Sequence, residues 1–354
     1  MKILLCSGSS LKEEAVIDFV KERFPDDSKI CIDRFDCDEV GLPPQPYNCA
    51  IYCAKERLNY LKYTKKKYRY EYDYYISIEN GLNSSETIHD ECIVIVEHRN
   101  IITTGKTKVE IISDRYQSLI GDLGDLITYN DKIRGYSVTF GKKMYETYGF
   151  DPRNWMKETN SYDRKVMIKD ALSIAFSDLR FAISNVDKVI RSYKEYSDFP
   201  KPGVVFQDIF AVLADPKISQ LLTEIMESRY KLDSIDYVVG LESRGFFGVL
   251  LAHKLGVGFI PIRKAGKLPG PTESIEYGTE YSKDICEIQT DIPKGSKVLI
   301  FDDLIATGGS LRASVDLLEK LECEIVDCCV LREVVTLRDK AKAKLNRNYT
   351  VLLS

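Results

Sequence analysis

The sequence predicts an α/β protein built from two α/β domains, residues 1–180 and 181–354. Three observations predict it. The chain has 354 residues, more than one typical domain holds. Short apolar strand segments alternate with amphipathic helical stretches. Each half carries a strand–turn–helix element suited to a phosphate, near Ser7–Lys12 and near Ala306–Ser310, because a helix N-terminus exposes backbone N–H groups to an anion.

Composition removes several function classes. The net charge is -4, with basic and acidic residues mixed, which argues against a nucleic-acid groove built from charge excess. The run KYTKKKYRYEYDYY (Lys62–Tyr75) is basic and aromatic. It is short and isolated, and reads as a solvated helix end running into an edge strand. Ten cysteines form no CxxC pair and only three histidines exist, which argues against a zinc site. Met1–Cys6 begins a strand without a charged-then-apolar leader, and no stretch reaches the ~18 apolar residues of a membrane span. Free thiols fit a reducing compartment, so a cytoplasmic protein is expected, with no membrane and no nucleic-acid partner.

In the first half, KILLC (Lys2–Cys6) is a strand. Ser7–Phe24 is a turn and a helix with the apolar stripe Ala15, Val16, Phe19, Val20 and Phe24, and Lys12 in its first turn. Gly41–Asn48 is a proline-stiffened loop after Asp36, Asp38 and Glu39. A helix carrying Ala54, Arg57, Leu58 and Leu61 follows. Tyr74–Leu82 reads as a central strand ending in Glu79 and a glycine turn. Glu91–Asn100 and Ile101–Ile111 read as a hairpin turning at Arg99-Asn100. Tyr148–Pro152 is a turn and Arg164–Phe176 a final helix.

In the second half, VLIFDDLIATGGS (Val298–Ser310) says most about function. Four apolar residues form a buried strand and Asp302 and Asp303 end it. A turn with a hydroxyl and two glycines opens an amphipathic helix (Leu311, Val315, Leu318). Carboxylates at the C-terminal edge of an open α/β sheet lie where ligands bind, and a pair suits the two hydroxyls of a ribose. The glycine turn suits a phosphate.

This run resembles the phosphoribosyl-pyrophosphate (PRPP) signature of the type I phosphoribosyltransferases. FPKPGVVFQDI (Phe199–Ile209), GLESRGF (Gly240–Phe246), PIRKAGKLPGPT (Pro261–Thr272) and EYSKDICEIQ (Glu280–Gln289) stand in the order and spacing of the adenine phosphoribosyltransferase family, from about Asp187 onward. The resemblance implies a parallel-sheet domain with a hood, a homodimer, and transfer of phosphoribosyl from PRPP to adenine with Mg²⁺. Asp302 and Asp303 would hold the ribose. Ala306, Thr307, Gly308, Gly309 and Ser310 would hold the 5′-phosphate. Ser243, Arg244 and Gly245, with Arg263, Lys264 and Lys267, would take the pyrophosphate. Glu280, in a mobile loop of the family, would be the acid–base group, with Glu276 its nearest rival. Val205 and Phe206 would read and pack the base. Gln207 stands where the family usually has arginine, which leaves base identity open. A PRPP-binding regulator or scaffold, or a transferase for another purine, is the competing reading.

The first half is similar to the inosine triphosphate pyrophosphatase superfamily, nearest to the non-canonical purine NTP phosphatases that hydrolyse ITP and XTP. SGSSLK stands for its first phosphate turn, VGLPPQP follows Glu39, IENG ends its strand, CAKER keeps Ala54 and Arg57, and Arg164 opens the last helix. The resemblance implies an ITPase-like mixed-sheet domain in which Ser9, Ser10, Lys12, Arg57 and Arg164 bind the triphosphate. Glu39 and Glu79 would hold a divalent metal, with Glu71 and Asp73 as alternatives. The family's acidic stretch before the helix is replaced by Asn48–Ile51, and Asn80 replaces a small residue.

Overall fold

The computed structural model describes residues 1–25, 29–64, 71–84, 87–111, 113–199, 202–203, 205–242, 247–279 and 282–353. The chain divides into two compact units, Met1–Phe181 and Ala182–Ser354.

The first unit contains, in order, β1 (Lys2–Cys6), α1 (Ser10–Arg23), β2 (Cys31–Phe35), β3 (Gln45–Pro46), α2 (Ala50–Thr64), β4 (Tyr74–Asn83), β5 (His89–His98), β6 (Ile101–Glu110), α3 (Asp114–Gln117), β7 (Leu126–Asn130), β8 (Ile133–Tyr136), α4 (Phe140–Tyr148), α5 (Trp155–Asn160) and α6 (Arg164–Arg191), which runs across the division. A five-stranded sheet has the order β2-β1-β4-β5-β6 and a small one the order β3-β8-β7. β1 pairs in parallel with β2 and β4, whereas β4, β5 and β6 form antiparallel ladders. Helices cover the sheet because its apolar residues need burial on both faces. Ala15, Val16, Phe19 and Val20 of α1 are buried, and Phe19 meets Phe176 of α6 with ring centroids 5.2 Å apart. On β6, a Cβ at Gly105 would stand 1.8 Å from the Ala171 carbonyl oxygen, so only glycine lets α6 approach this closely.

Three expectations need correction here. The strand after the basic run is β4, the centre of the sheet rather than an edge; residues 65–70 of that run lie outside the described residues. β4 does not end at Glu79 but continues to Asn83. Gly81 serves not a turn but a close approach, since a Cβ there would meet the Pro46 carbonyl oxygen at 2.8 Å. The last helix continues past Phe176 to Arg191, because its apolar periodicity is maintained by Leu179, Val186 and Val189, all buried.

The second unit contains β9 (Lys194–Ser197), β10 (Val205–Asp208), α7 (Phe210–Ala214), α8 (Pro216–Tyr230), β11 (Tyr237–Leu241), α9 (Gly248–Leu255), β12 (Gly258–Lys264), β13 (Thr272–Thr279), β14 (Ser282–Gln289), β15 (Lys297–Ile305), α10 (Gly309–Lys320), β16 (Glu324–Glu333), α11 (Arg338–Leu345) and β17 (Thr350–Val351). Its sheet has the order β13-β14-β12-β11-β15-β16-β17. The five strands β12, β11, β15, β16 and β17 are parallel, and the β13–β14 hairpin extends the sheet antiparallel from β12. β15 is central and buried along most of its length, as a parallel strand covered on both faces must be. It runs three residues beyond Asp302, so the aspartates stand within the strand's last turn of pleat rather than ending it.

Candidate active sites

In the second unit, the turn after β15 is shaped by Gly308. Its φ of +79° is left-handed, and a Cβ would stand 2.9 Å from the Ala341 carbonyl oxygen, so both backbone and space demand glycine. Gly308 is the N-cap of α10 and carries no side chain to cap it, while its carbonyl accepts from the Arg312 N–H at 2.9 Å. The first-turn N–H groups of α10 have no intrahelical acceptors, and the positive end of the helix dipole lies there, which is an arrangement suited to an anion. The Lys344 Nζ of α11 lies 3.5 Å from where a Gly309 Cβ would stand, which adds a cation beside the turn.

Upstream of that turn, Asp302 and Asp303 are each 8% exposed, and the Asp303 N–H donates to the Asp302 carboxylate at 2.9 Å. Asp302 and Ser310 line a cavity of about 100 Å³ with Glu242, Arg263, Lys264 and Tyr277. Glu242 organises its cations. It accepts from Arg263 Nη2 at 3.2 Å, from the Lys264 N–H at 2.8 Å and from the Lys267 ammonium. The Lys267 hydrogen bond, with help from Lys264 and Arg263, holds the Glu242 carboxyl down at about 2. Below it, Glu287 accepts from the N–H groups of Lys267 and Leu268, both at 2.8 Å, and fixes the loop that carries Lys267. The side-chain cations of Arg263 and Lys267 thus meet on Glu242, whereas the Lys264 ammonium turns to Asp284 at 3.7 Å.

The base candidates lie on β10. Val205 is 59% exposed, Phe206 meets Phe199 edge to face at 5.1 Å, and Gln207 is held at both ends of its amide. Its Nε2 donates to Glu195 at 2.8 Å and its Oε1 accepts from Arg332 Nε at 3.1 Å. Ser243, Arg244, Gly245 and Glu280 lie outside the described residues. Glu276 is exposed on β13.

In the first unit, a cavity of about 240 Å³ is lined by Ser9, Lys12, Glu79, Asp90, Arg153 and Arg164, among others. The sequence brought most of these forward, but their bonding differs from expectation. Ser9 is the N-cap of α1, its hydroxyl accepting from the Lys12 N–H at 3.4 Å. Ser10 is exposed and accepts from Arg153 Nη1 at 3.5 Å. The Lys12 ammonium donates to the Ile78 carbonyl at 2.7 Å and to Glu79 at 3.3 Å. Arg57 Nε donates to the other Glu79 oxygen at 2.6 Å. Burial pushes the Glu79 carboxyl up, but Lys12 and Arg57 outweigh it and hold the group below its ordinary value. Glu39 is exposed and takes the Tyr60 hydroxyl; it is not among the residues lining the cavity. The Glu39–Glu79 pair therefore does not fit a shared metal ion: one carboxylate is neutralised by two cations and the other faces elsewhere. Asp73 accepts from the Lys2 N–H at 2.8 Å and Glu71 is exposed; neither lines the cavity.

Several residues escaped the sequence reading. Asp90 is 2% exposed, faces Arg164 Nη2 at 3.7 Å, and is pushed up by burial against the pull of Arg164. Arg153 and Asp90 sit in segments without a quoted motif, so only the fold brings them to Lys12. Tyr277, Lys344 and Arg332 lie far along the chain from the PRPP run. Glu242 stands inside GLESRGF, where an acidic side chain directly before the pyrophosphate candidates Ser243, Arg244 and Gly245 was the available signal.

The phosphoribosyl transferase domain family matches residues 210–352. The adenine phosphoribosyltransferase of Geotalea uraniireducens is 42% identical over 169 residues, covering 47% of this chain and 99% of that protein. The adenine phosphoribosyltransferase of Rattus norvegicus is 45% identical over 164 residues, covering 45% and 91%. A crystal structure of the Saccharomyces cerevisiae adenine phosphoribosyltransferase, complexed with an imino-altritol bisphosphate and adenine, is 41% identical and covers 48% of this chain and 99% of that one, with a TM-score of 0.46. Both curated relatives take in slightly less than half of this chain and nearly all of their own length. Through its C-terminal half, the chain belongs to the adenine phosphoribosyltransferase family.

Proposed function

We propose that the C-terminal unit transfers phosphoribosyl from PRPP to adenine, forming AMP and pyrophosphate, in purine salvage. The observation that carries this is the sequence of groups at the end of β15: two buried carboxylates, then a glycine-capped helix N-terminus. Asp302 and Asp303 hold the ribose hydroxyls, and the Ala306–Ser310 turn holds the 5′-phosphate. Arg263, Lys264, Lys267 and the Ser243–Gly245 segment take the pyrophosphate, Arg263 and Lys267 leaving Glu242 and Lys264 leaving Asp284 for the more highly charged ligand. Val205, Phe206 and Gln207 meet the base. As a purine ring nitrogen bonds to C1′, the C1′–pyrophosphate bond breaks and the nitrogen's proton passes to Glu280.

Mg²⁺ in such a site takes one or two carboxylates plus substrate oxygens rather than an all-protein cage, and the Asp302–Asp303 pair fits that requirement. Held there with PRPP, the ion would supply positive charge beside the pyrophosphate oxygens. The ten free cysteines fit a reducing cytosol. Among the described residues no helix is long and apolar enough to cross a membrane. A homodimer belongs to this proposal through the family resemblance.

The test is a panel of PRPP with adenine, hypoxanthine or guanine and Mg²⁺. Adenine consumption with release of pyrophosphate is expected. Use of hypoxanthine or guanine at least about tenfold better, a difference of ~1.4 kcal/mol, overturns the adenine assignment. Glu280→Gln is expected to cut the rate by roughly 10²–10⁴-fold while PRPP affinity is kept; an unchanged rate moves the role to Glu276 or solvent.

For the first unit we propose a site for a non-canonical purine triphosphate such as ITP or XTP in the Lys12–Arg153–Arg164 cavity, hydrolysed there by water. The cationic lining supports binding. The neutralised Glu79 and the capped Ser9 support the second reading, a scaffold or regulator of its neighbour. Incubation with ITP, XTP or ATP and Mg²⁺ decides: phosphate or pyrophosphate release supports the hydrolase, and none with any of the three supports the scaffold.

A further inference from the structure

Gln207 is the residue at which this chain departs from the usual arginine, and its amide is not loose. The carbonyl end faces the Arg332 guanidinium at 3.1 Å and the amino end faces the Glu195 carboxylate at 2.8 Å. An amide offers one acceptor and one donor end, and here each meets the charge it suits. Glu195 is its antiparallel partner across the β9–β10 hairpin. Arg332 comes from β16, opposite Leu304 of β15 and two residues beyond Val330, which stands opposite Asp302. Its Nη1 also donates to the Leu353 carbonyl at 2.6 Å, and its guanidinium lies 5.9 Å from the Tyr193 ring centre. The guanidinium is thereby fixed at the carboxyl end of the sheet, beside the strand that carries Asp302 and Asp303.

We propose that Arg332 is a positioning residue for the purine: it locks the Gln207 amide, and with it the base strand β10, to the sheet edge that holds the ribose. This rests on the assignment of Val205–Gln207 to the base. Gln207 and Arg332 then form a matched pair. An arginine at 207 would face the Arg332 guanidinium with like charge, and a glutamine at 332 would leave the Gln207 carbonyl without its charged donor. The pair places the guanidinium one side chain behind the position next to Phe206. It therefore bears on where the base edge meets β10 and not on PRPP.

The test is an exchange cycle read by steady-state kinetics with adenine varied at saturating PRPP, and the reverse. Arg332→Gln and Gln207→Arg are each expected to raise the adenine KM by roughly 10- to 100-fold, the range for a lost hydrogen bond to a charged group. kcat and the PRPP KM should stay within about threefold, the signature of lost substrate binding. The double exchange restores a glutamine–arginine pair in reverse order and is expected to recover at least about fivefold of the adenine KM relative to the worse single variant. Unchanged adenine KM in both single variants, or additive losses in the double, overturns the proposal. Because Arg332 also holds the Leu353 carbonyl, Arg332→Gln can fail to fold. In that event Gln207→Leu and Gln207→Arg decide, since neither touches Leu353, and both should raise the adenine KM alone. If the wild type turns over a different purine, the adenine assignment fails and the same cycle is read with that purine.

Discussion

The two strand–turn–helix elements look alike in sequence and are used differently. After β15 the helix N-cap is Gly308, which has no side chain to place over the first turn. After β1 the N-cap is Ser9, whose hydroxyl accepts from the Lys12 N–H, and the lysine in that first turn is committed to Ile78 and Glu79. One turn places no side-chain cap over its first-turn donors; the other satisfies a donor internally and pins its cation to a buried carboxylate. A strand–turn–helix pattern alone therefore does not decide whether a turn is open to a phosphate; the cap residue does.

The largest test of this contrast removes the two carboxylates proposed to hold the ribose. Asp302→Asn with Asp303→Asn takes two charged acceptors from the site, each worth ~1.5–3 kcal/mol in a hydrogen bond to a charged or strongly polar partner. The transferase kcat/KM is expected to fall by roughly 10²–10⁴-fold. Any triphosphate hydrolysis should persist, because those residues belong to the other unit. Loss of both activities in a folded protein would mean that the sites are coupled.

The counterpart in the first unit is a stability effect. Glu79 is buried with Lys12 and Arg57 on its two oxygens. Glu79→Ala leaves both cations without their carboxylate, and breaking a buried pair costs about 3–5 kcal/mol. Trp155, the only tryptophan and 1% exposed, reports unfolding of this unit by fluorescence. The pH sign follows from the lowered pKa. The folded group binds its proton less readily than the unfolded one, so its contribution is present above the ordinary value of 4.5 and is lost as pH falls below it. Wild type should lose stability through that acid window more steeply than Glu79→Gln; identical acid profiles would show that Glu79 contributes nothing there.

How much of this was legible in the sequence depends on how local each signal was. Asp302, Asp303 and Gly308 lie within seven residues on one strand and turn, so their chemistry is written in order. The Lys12–Glu79–Arg57 cluster joins residues 67 apart in one of its bonds, and only the β1–β4 pairing reveals that each cation is already spent. Glu39 was credible as a ligand from its place beside VGLPPQP, yet a tyrosine two elements later takes its carboxylate. β4 read as ending at a glycine because glycine usually punctuates strands; here Gly81 makes room for Pro46. Tertiary partners, absent from any local window, decided all three.

A pair of cap substitutions sharpens the comparison at smaller amplitude. Gly308→Ala forces an L-residue into a left-handed conformation and a Cβ against the Ala341 carbonyl. It is expected to cost about 1–3 kcal/mol and to raise the PRPP KM. Ser9→Ala removes a helix cap and should cost ~0.5–2 kcal/mol. If Ser9 acts only as a cap, denaturant midpoints move and any nucleotide KM in the first unit does not. A changed ITP KM at unchanged stability would make Ser9 a phosphate ligand and erase the difference drawn between the two turns.

The smallest effect is expected at Lys344. Its ammonium stands beside Gly309, at the edge of the turn assigned to the 5′-phosphate, but the residue is exposed. An exposed charge is screened and contributes only ~0.2–1 kcal/mol to an ion pair, so Lys344→Ala should raise the PRPP KM by roughly 1.5- to 5-fold. The adenine KM and kcat should stay near wild type, since the residue touches neither base nor reacting carbon. Screening provides the control: as ionic strength rises and the Debye length shrinks to a few ångströms near 1 M salt, wild type and Lys344→Ala should converge in PRPP KM. Arg263→Ala, whose cation contacts a half-enclosed carboxylate in the cavity, should keep its defect at the same salt. If Lys344→Ala matches wild type at low salt, the phosphate is held by the backbone N–H groups of the turn without a lysine beside them. The contrast with the first unit, where the lysine is consumed internally, then rests on Gly308 alone.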